Sequence, residues 1–276
     1  MTPARREPAD SLASPDDEAA GNVRDQWVAI RHPARIIAAV CEHYVARAAE
    51  PFRIDELWPF TGRLEHFGMA GFGWGAAWLT GGGTIETYRD IRSFADDPGA
   101  ATVGATQTTS LLVHLRRPSK LSTLQLADTQ PFDDPAGRFA FSHNGDLQQI
   151  ADARGRYQAQ GRIHGRADTE VGARWLEDVW DDCPSAAAAL RELHRIFPGK
   201  SNLATIARDG SVAHYAGNEE NPVFSFRLGR IGVVSTALYS IDRSLFQLAA
   251  TGADERRLVR PGVAVELAPN GSAAAA

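Results

Sequence analysis

"DTEVGARWLEDVWDDCPSAAAALRELHRIF", Asp168 to Phe197, is the stretch on which the fold turns. Its first half sets Val171, Trp175 and Val179 at the spacing that lines one face of an α-helix. Asp168 or Thr169 stands where an N-cap is wanted, and an acidic first turn follows. Its second half, from Ser185, predicts another helix, which Pro198-Gly199 stops. Outward from this pair the texture changes. Upstream, "FGWGAAWLTGGGTIETYRD" (Phe72 to Asp90) predicts two strands around a glycine turn. "TSLLVHLRR" (Thr109 to Arg117) and "GRFAFSHNG" (Gly137 to Gly145) predict buried strands with polar ends. Downstream, "NLATIARDG", "SVAHYAG", "VFSFRLGRIGVVST" and "GVAVELAP" predict further short strands, with a hairpin at Asp209-Gly210. Strands, then two adjacent helices, then strands again predict α+β layers, not a βαβ repeat.

The two ends differ from this middle. Residues 1–40 are expected to be an extension, disordered over its Ala-, Pro-, Asp- and Arg-rich first part, which has little to bury. Residues 271–276 are expected to be a low-complexity tail, which leaves one domain over residues 41–270. At 276 residues the chain can bury a proper core, and its 43% hydrophobic and 23% charged content is that of a soluble globular protein. A net charge of -5 offers no general attraction to nucleic acid or anionic lipid, so neither is expected as a partner. No apolar run is long enough for a membrane span, and acids and prolines stand where a signal peptide would carry its apolar core. Cys41 and Cys183 do not make a disulfide framework, and a cytoplasmic location with reduced thiols is expected. No His/Cys cluster has ligand spacing, so neither a metal nor a cofactor is expected.

Four stretches between the ends carry groups capable of chemistry. They are "CEHYVARAAEPF" from Cys41, "HLRRPSKLSTLQLADTQPF" with Arg116 and Asp128, "FSHNGDL" with Asn144 and Gly145, and "GRADTE" with Asp168. Singly, each has an ordinary explanation: a small core thiol, a solvated arginine, a tight turn, a helix cap. Together, and in this order, they resemble the class II glutamine amidotransferase domain of the N-terminal-nucleophile hydrolases. Among these the likeness is to small stand-alone members such as the γ-glutamyl amidohydrolase of ergothioneine biosynthesis. The "GFGWG" stretch (Gly71 to Gly75) falls where that family has a glycine-aromatic-glycine element. The resemblance runs from Cys41 to about Leu267. The sequence departs from the family's pattern at Asp128, Ala167 and Ser119, where Asn, Ser and Thr are common.

The resemblance implies a four-layer α/β/β/α sandwich of two antiparallel sheets, with the two helices together on one outer face. It implies cleavage of the γ-glutamyl amide of glutamine, or of a γ-glutamyl conjugate, through a thioester on an N-terminal Cys41. It implies Asn144 and Gly145 as the oxyanion hole, Arg116 as the clamp for the substrate α-carboxylate and Asp168 as the partner of its α-ammonium. His114 and His143, beside these, are expected to be structural. The residue types suit the chemistry. A thiol titrating near ~8.5 and an α-amine near ~7.7–8.0 put nucleophile and base on one terminal residue. Arginine grips a carboxylate through two parallel hydrogen bonds, which lysine cannot copy. A separate ammonia-accepting synthetase subunit is a further implied partner, since the chain leaves no room for a synthetase domain.

Cys41 is not the first residue, and three explanations fit. Residues 1–40 are a propeptide, or translation starts at codon 40, where Val40 would be the initiator. Alternatively the extension stays and the protein is a non-catalytic ligand-binding or regulatory relative on the same fold, with Cys41 internal.

Overall fold

A computed structural model of the chain describes residues 41–118, 121–236 and 247–276. The extension over residues 1–40 and Ser119 lie outside the described residues. Two antiparallel sheets make up the centre. The first has seven strands: β1 (Glu42–Arg53), β2 (Trp74–Leu79), β3 (Ile85–Asp90), β4 (Gln107–Leu115), β9 (Val223–Leu228), β10 (Ile231–Thr236) and β11 (Asp254–Val259). Their order is β11-β9-β10-β1-β4-β2-β3. The second has six: β5 (Phe132–Asp133), β6 (Phe139–Gly145), β7 (Ser201–Ala207), β8 (Val212–Gly217), β12 (Val263–Leu267) and β13 (Ala273–Ala275), ordered β13-β12-β8-β7-β6-β5. The helices are α1 (Trp58–Gly68), α2 (Gly99–Gly104), α3 (Ala151–Ala159), α4 (Asp168–Val179) and α5 (Ala186–Ile196).

Side chains alternate across a strand, so each strand feeds two layers. Tyr44, Ala46, Leu111, Val113 and Leu115 face outward from the first sheet and pack with Phe60 and Leu64 of α1. Val45 and Leu112 face inward and meet Ala140, Ala204, Ile206 and Val265 of the second sheet. The outer face of that sheet, with Phe139, Phe141, Leu203 and Ala213, is covered by Leu176 of α4 and by Leu190 and Leu193 of α5. The result is four layers, α/β/β/α, with the two adjacent helices on one outer face, as the sequence implies. Both faces of most strands are covered, which is why runs such as Leu111 to Val113 lack polar alternation.

Several features differ from the sequence reading, among them α2 and α3, where no helix is predicted. The segment between β1 and β2 forms α1, whose opening is marked by Pro59 in its first turn. Ala273–Ala275, within the expected low-complexity tail, is the edge strand of the second sheet and pairs with Val265–Leu267. Ala167 is the N-cap of α4 and Asp168 its first helical residue, because the Asp168 carboxylate is turned to accept from the Leu147 amide at 2.7 Å and the Thr169 amide at 2.9 Å.

Candidate active site

The strand register gathers the site. Glu42 pairs with Leu115 across β1 and β4, so Cys41 and Arg116 are brought side by side just past the paired strands. Asn144 and Gly145 close β6, and Asp168 opens α4. Cys41, Arg116, Gly145 and Asp168, from four distant parts of the sequence, line one cavity of about 430 Å³. Asn144 is buried behind it and donates its side-chain N–H to the Cys41 carbonyl. All five residues singled out from the sequence therefore meet at one place.

Cys41 is half-buried, and its Sγ accepts from the Arg117 backbone N–H at 3.3 Å. Loss of hydration pushes the thiol up to about 11; the neighbouring Glu42 and Asp168 charges raise it further, against the Arg117 N–H and the Arg116 charge. The thiol is thus protonated at neutral pH and needs a base. Arg116 is buried, and its guanidinium donates to the carbonyls of Gln125 (3.2 Å) and Thr123 and to Thr129 Oγ1 (3.2 Å). Among the described residues its partners are all neutral oxygens, which leaves its charge for an anion in the cavity.

Gly145 has φ +121, and a Cβ there would lie 1.8 Å from the Lys200 carbonyl oxygen. Only glycine fits, and its backbone is thereby held at the cavity wall. Gly75, in the glycine-aromatic-glycine stretch, is equally confined: a Cβ would lie 2.2 Å from the Gln130 carbonyl oxygen. Gln130 in turn accepts from the His143 amide through Oε1 at 2.7 Å, which ties that stretch to the Asn144 turn.

Several supporting groups surround these residues, of which Asn202 and Asn221 carry no readable signal in the sequence. Asp128 Oδ1 accepts from the amides of Arg166 (2.5 Å) and Ala167 (2.7 Å), which fixes the approach to α4, and its Oδ2 accepts from the Gln125 side-chain amide at 2.8 Å, a bond that an asparagine nitrogen could not accept. Asn202 donates to the Asn221 carbonyl at 2.8 Å, and Asn221 donates to Asn144 Oδ1 at 3.4 Å, which sets the orientation of the Asn144 amide. His143 lines the cavity, with Nδ1 3.1 Å from Thr169 Oγ1 and 3.8 Å from Asp168 Oδ1. His114 is in the inter-sheet layer instead. There it and His43 both contact Ser142 Oγ through Nδ1, at 2.8 and 2.9 Å, and His43 meets His214 at 3.0 Å. Among the described residues no group of three or more His, Cys, Asp or Glu side chains could hold a metal ion, and no helix is long and apolar enough to cross a membrane.

Comparisons with known proteins bear on the fold and the family. No curated protein matches the sequence. Among solved structures, the glutamine phosphoribosylpyrophosphate amidotransferase of B. subtilis, complexed with ADP and GMP, superimposes with a TM-score of 0.65 at 17% identity, over 86% of this chain and 49% of that one. A structure described as the allosteric regulatory enzyme of purine biosynthesis gives 0.64 at 16% identity, over 86% and 48%. The chain thus spans about half the length of these two. A glutamine aminotransferase class-II domain protein from Silicibacter pomeroyi gives 0.52 at 17% identity, over 85% and 98%. At these identities the likeness is one of fold, and the fold is that of the N-terminal-nucleophile type. The family model for glutamine amidotransferases class-II matches residues 55–233, more than half of the sequence, beginning downstream of Cys41. The chain belongs to the class II glutamine amidotransferases.

Proposed function

We propose that the protein hydrolyses a γ-glutamyl amide, with Cys41 as nucleophile once Cys41 is the first residue of the chain. The observation that carries this reading is the meeting of Cys41, Arg116, Gly145 and Asp168 around one cavity, with Asn144 against the Cys41 backbone. The unpaired charge of Arg116 suits the α-carboxylate of the substrate, and Asp168 its α-ammonium. The γ-carbonyl then lies against Cys41 Sγ.

The steps follow from the groups present. The α-amine of Cys41 takes the thiol proton as sulfur attacks the carbonyl carbon. The second Asn144 amide hydrogen and the Gly145 N–H receive the developing oxyanion. The carbon–nitrogen bond breaks, the ammonium hands its proton to the departing nitrogen, and a γ-glutamyl thioester stays on Cys41. Water attacks the thioester with the same amine as base, which releases glutamate and restores the thiol. With the Cys41 nitrogen in a peptide bond there is no base on that residue, and the raised thiol stays protonated.

Glutamine is the substrate the family suggests. Ammonia goes either to a separate synthetase subunit or to solvent. The test is glutamate release from glutamine by a chain beginning at Cys41, against the same chain with Cys41→Ala. Release should fall by at least about 10³-fold in the variant. Glutamine binding without release by the unsubstituted chain would favour the binding-protein reading instead.

A further inference from the structure

Behind the cavity the layer between the sheets begins with a polar row. Residues two apart on a strand share a face. Two residues inward of Cys41, Arg116 and Asn144 lie His43 on β1, His114 on β4 and Ser142 on β6. His43 and His114 are register partners across β1 and β4, and Ser142 meets both from the second sheet. Its Oγ lies 2.9 Å from His43 Nδ1 and 2.8 Å from His114 Nδ1, and His43 Nε2 meets His214 Nε2 of β8 at 3.0 Å. All four side chains are fully buried. Two residues further in, the row is Val45, Leu112 and Ala140, and it is apolar. A serine has one O–H to give, so all three groups are satisfied when one ring donates to Oγ and the other accepts from it.

Resting on the function proposed above, we infer that Ser142, bridging His43 and His114, is a positioning residue that sets the sideways alignment of the two sheets and so places the Asn144 amide against Cys41. Apolar contact holds two sheets together but is non-directional, and by itself it permits small lateral shifts. Hydrogen bonds fix direction as well as distance. The sulfur comes from the first sheet and the oxyanion donors from the second, so their separation depends on this alignment. Each member of the bridge stands two residues from the group it places: His43 from Cys41, His114 from Arg116, Ser142 from Asn144. A misplacement of about 1 Å at such a site costs on the order of 10²-fold in rate.

The test follows glutamine hydrolysis by protein whose first residue is Cys41. Ser142→Ala should lower kcat by about tenfold or more and change KM by less than about threefold, because Arg116 and Asp168 hold the substrate in either case. In an Asn144→Ala background the same change should cost less than about threefold, since the donor it aligns is gone. Equal losses in the two backgrounds, as from a smaller folded fraction, overturn the inference. Should Ser142→Ala fold poorly, His114 decides: His114→Asn, whose amide can donate to Oγ or accept from it, should stay within about threefold of the parent rate, and His114→Leu should lose about tenfold or more. Equal rates for these two variants also overturn it. A readout independent of activity comes from NMR of the full chain. His43 and His114 should show opposite Nδ1 protonation, and Ser142→Ala should speed solvent exchange of the Asn144 side-chain amide by about tenfold or more. Unchanged exchange overturns the positioning role whether or not glutamate is released. Faster exchange, with no release by the unsubstituted protein, overturns the proposed function and leaves the alignment standing.

Discussion

Asn144 is the residue on which the proposed chemistry places most of its electrostatic demand. Its Nδ2 already spends one hydrogen on the Cys41 carbonyl, so only the other can face an oxyanion. Asn221 holds the opposite end of the amide and so keeps it from turning over. Asn144→Ala should lower kcat for glutamine hydrolysis by about 10²–10³-fold. Asn221→Ala acts only through Asn144 and should lower kcat by roughly tenfold, the scale of one neutral hydrogen bond, with KM nearly unchanged. Steady-state kinetics distinguish the two; a rise in KM alone for Asn221→Ala would place Asn221 outside the reaction. At this scale the sequence singled out Cys41, Arg116 and Gly145, which the fold brings to one cavity. It was silent on Asn202 and Asn221, whose importance arises only when the β7–β8 hairpin and the segment after it fold onto the end of β6.

The elements bring these residues together, and the end of β6 is where they are least forgiving. Gly145→Ala would force a Cβ against the Lys200 carbonyl oxygen at a φ that alanine avoids. The strain alone is about 1–3 kcal/mol. Chemical denaturation should show at least that loss, together with loss of glutamine hydrolysis; an alanine variant of unchanged stability and rate would mean the turn is free to move. The long periodic segments were legible: α4, α5 and the β2–β3 and β7–β8 hairpins follow the pattern of their residues. Others were not, α2 and α3 among them. In α1, Pro59 and Gly62 break up a helical pattern whose Phe60 and Leu64 spacing is clear only once they face Tyr44 and Leu111. β11, "DERRLV", exposes all but its last residue, so it carries no hydrophobic signal and is held through pairing with β9. The Ala273–Ala275 strand has no signal either, since alanine repeats fit any structure and β12 supplies the partner.

For the whole molecule, the layer between the sheets ties stability to pH. Next to its apolar part stand His43 and His114, both against Ser142, and His214 against His43, all buried. Burial lowers the pKa of each: His214 to about 3, and His43 and His114 well below the usual 6.5, helped by the neighbouring histidines and, for His114, by the Arg116 charge. The folded state therefore holds them neutral. As pH falls below about 6.5 the unfolded chain takes up protons that the folded chain refuses, and stability declines. The loss continues toward pH 3, at up to about 1.4 kcal/mol per pH unit for each histidine. Thermal unfolding between pH 7 and pH 4 should show a steadily falling Tm; a flat profile would mean the histidines are protonated in the fold.

The fold's central consequence is that Cys41 reaches the cavity at the start of β1, where a chain end would set sulfur and amine beside the same carbonyl. The most direct measurement is glutamate release paired with the intact mass of the reacting protein, for the full chain and for one beginning at Cys41. Activity confined to molecules whose first residue is Cys41 is the expected result. Full activity from molecules that keep residues 1–40 would contradict it.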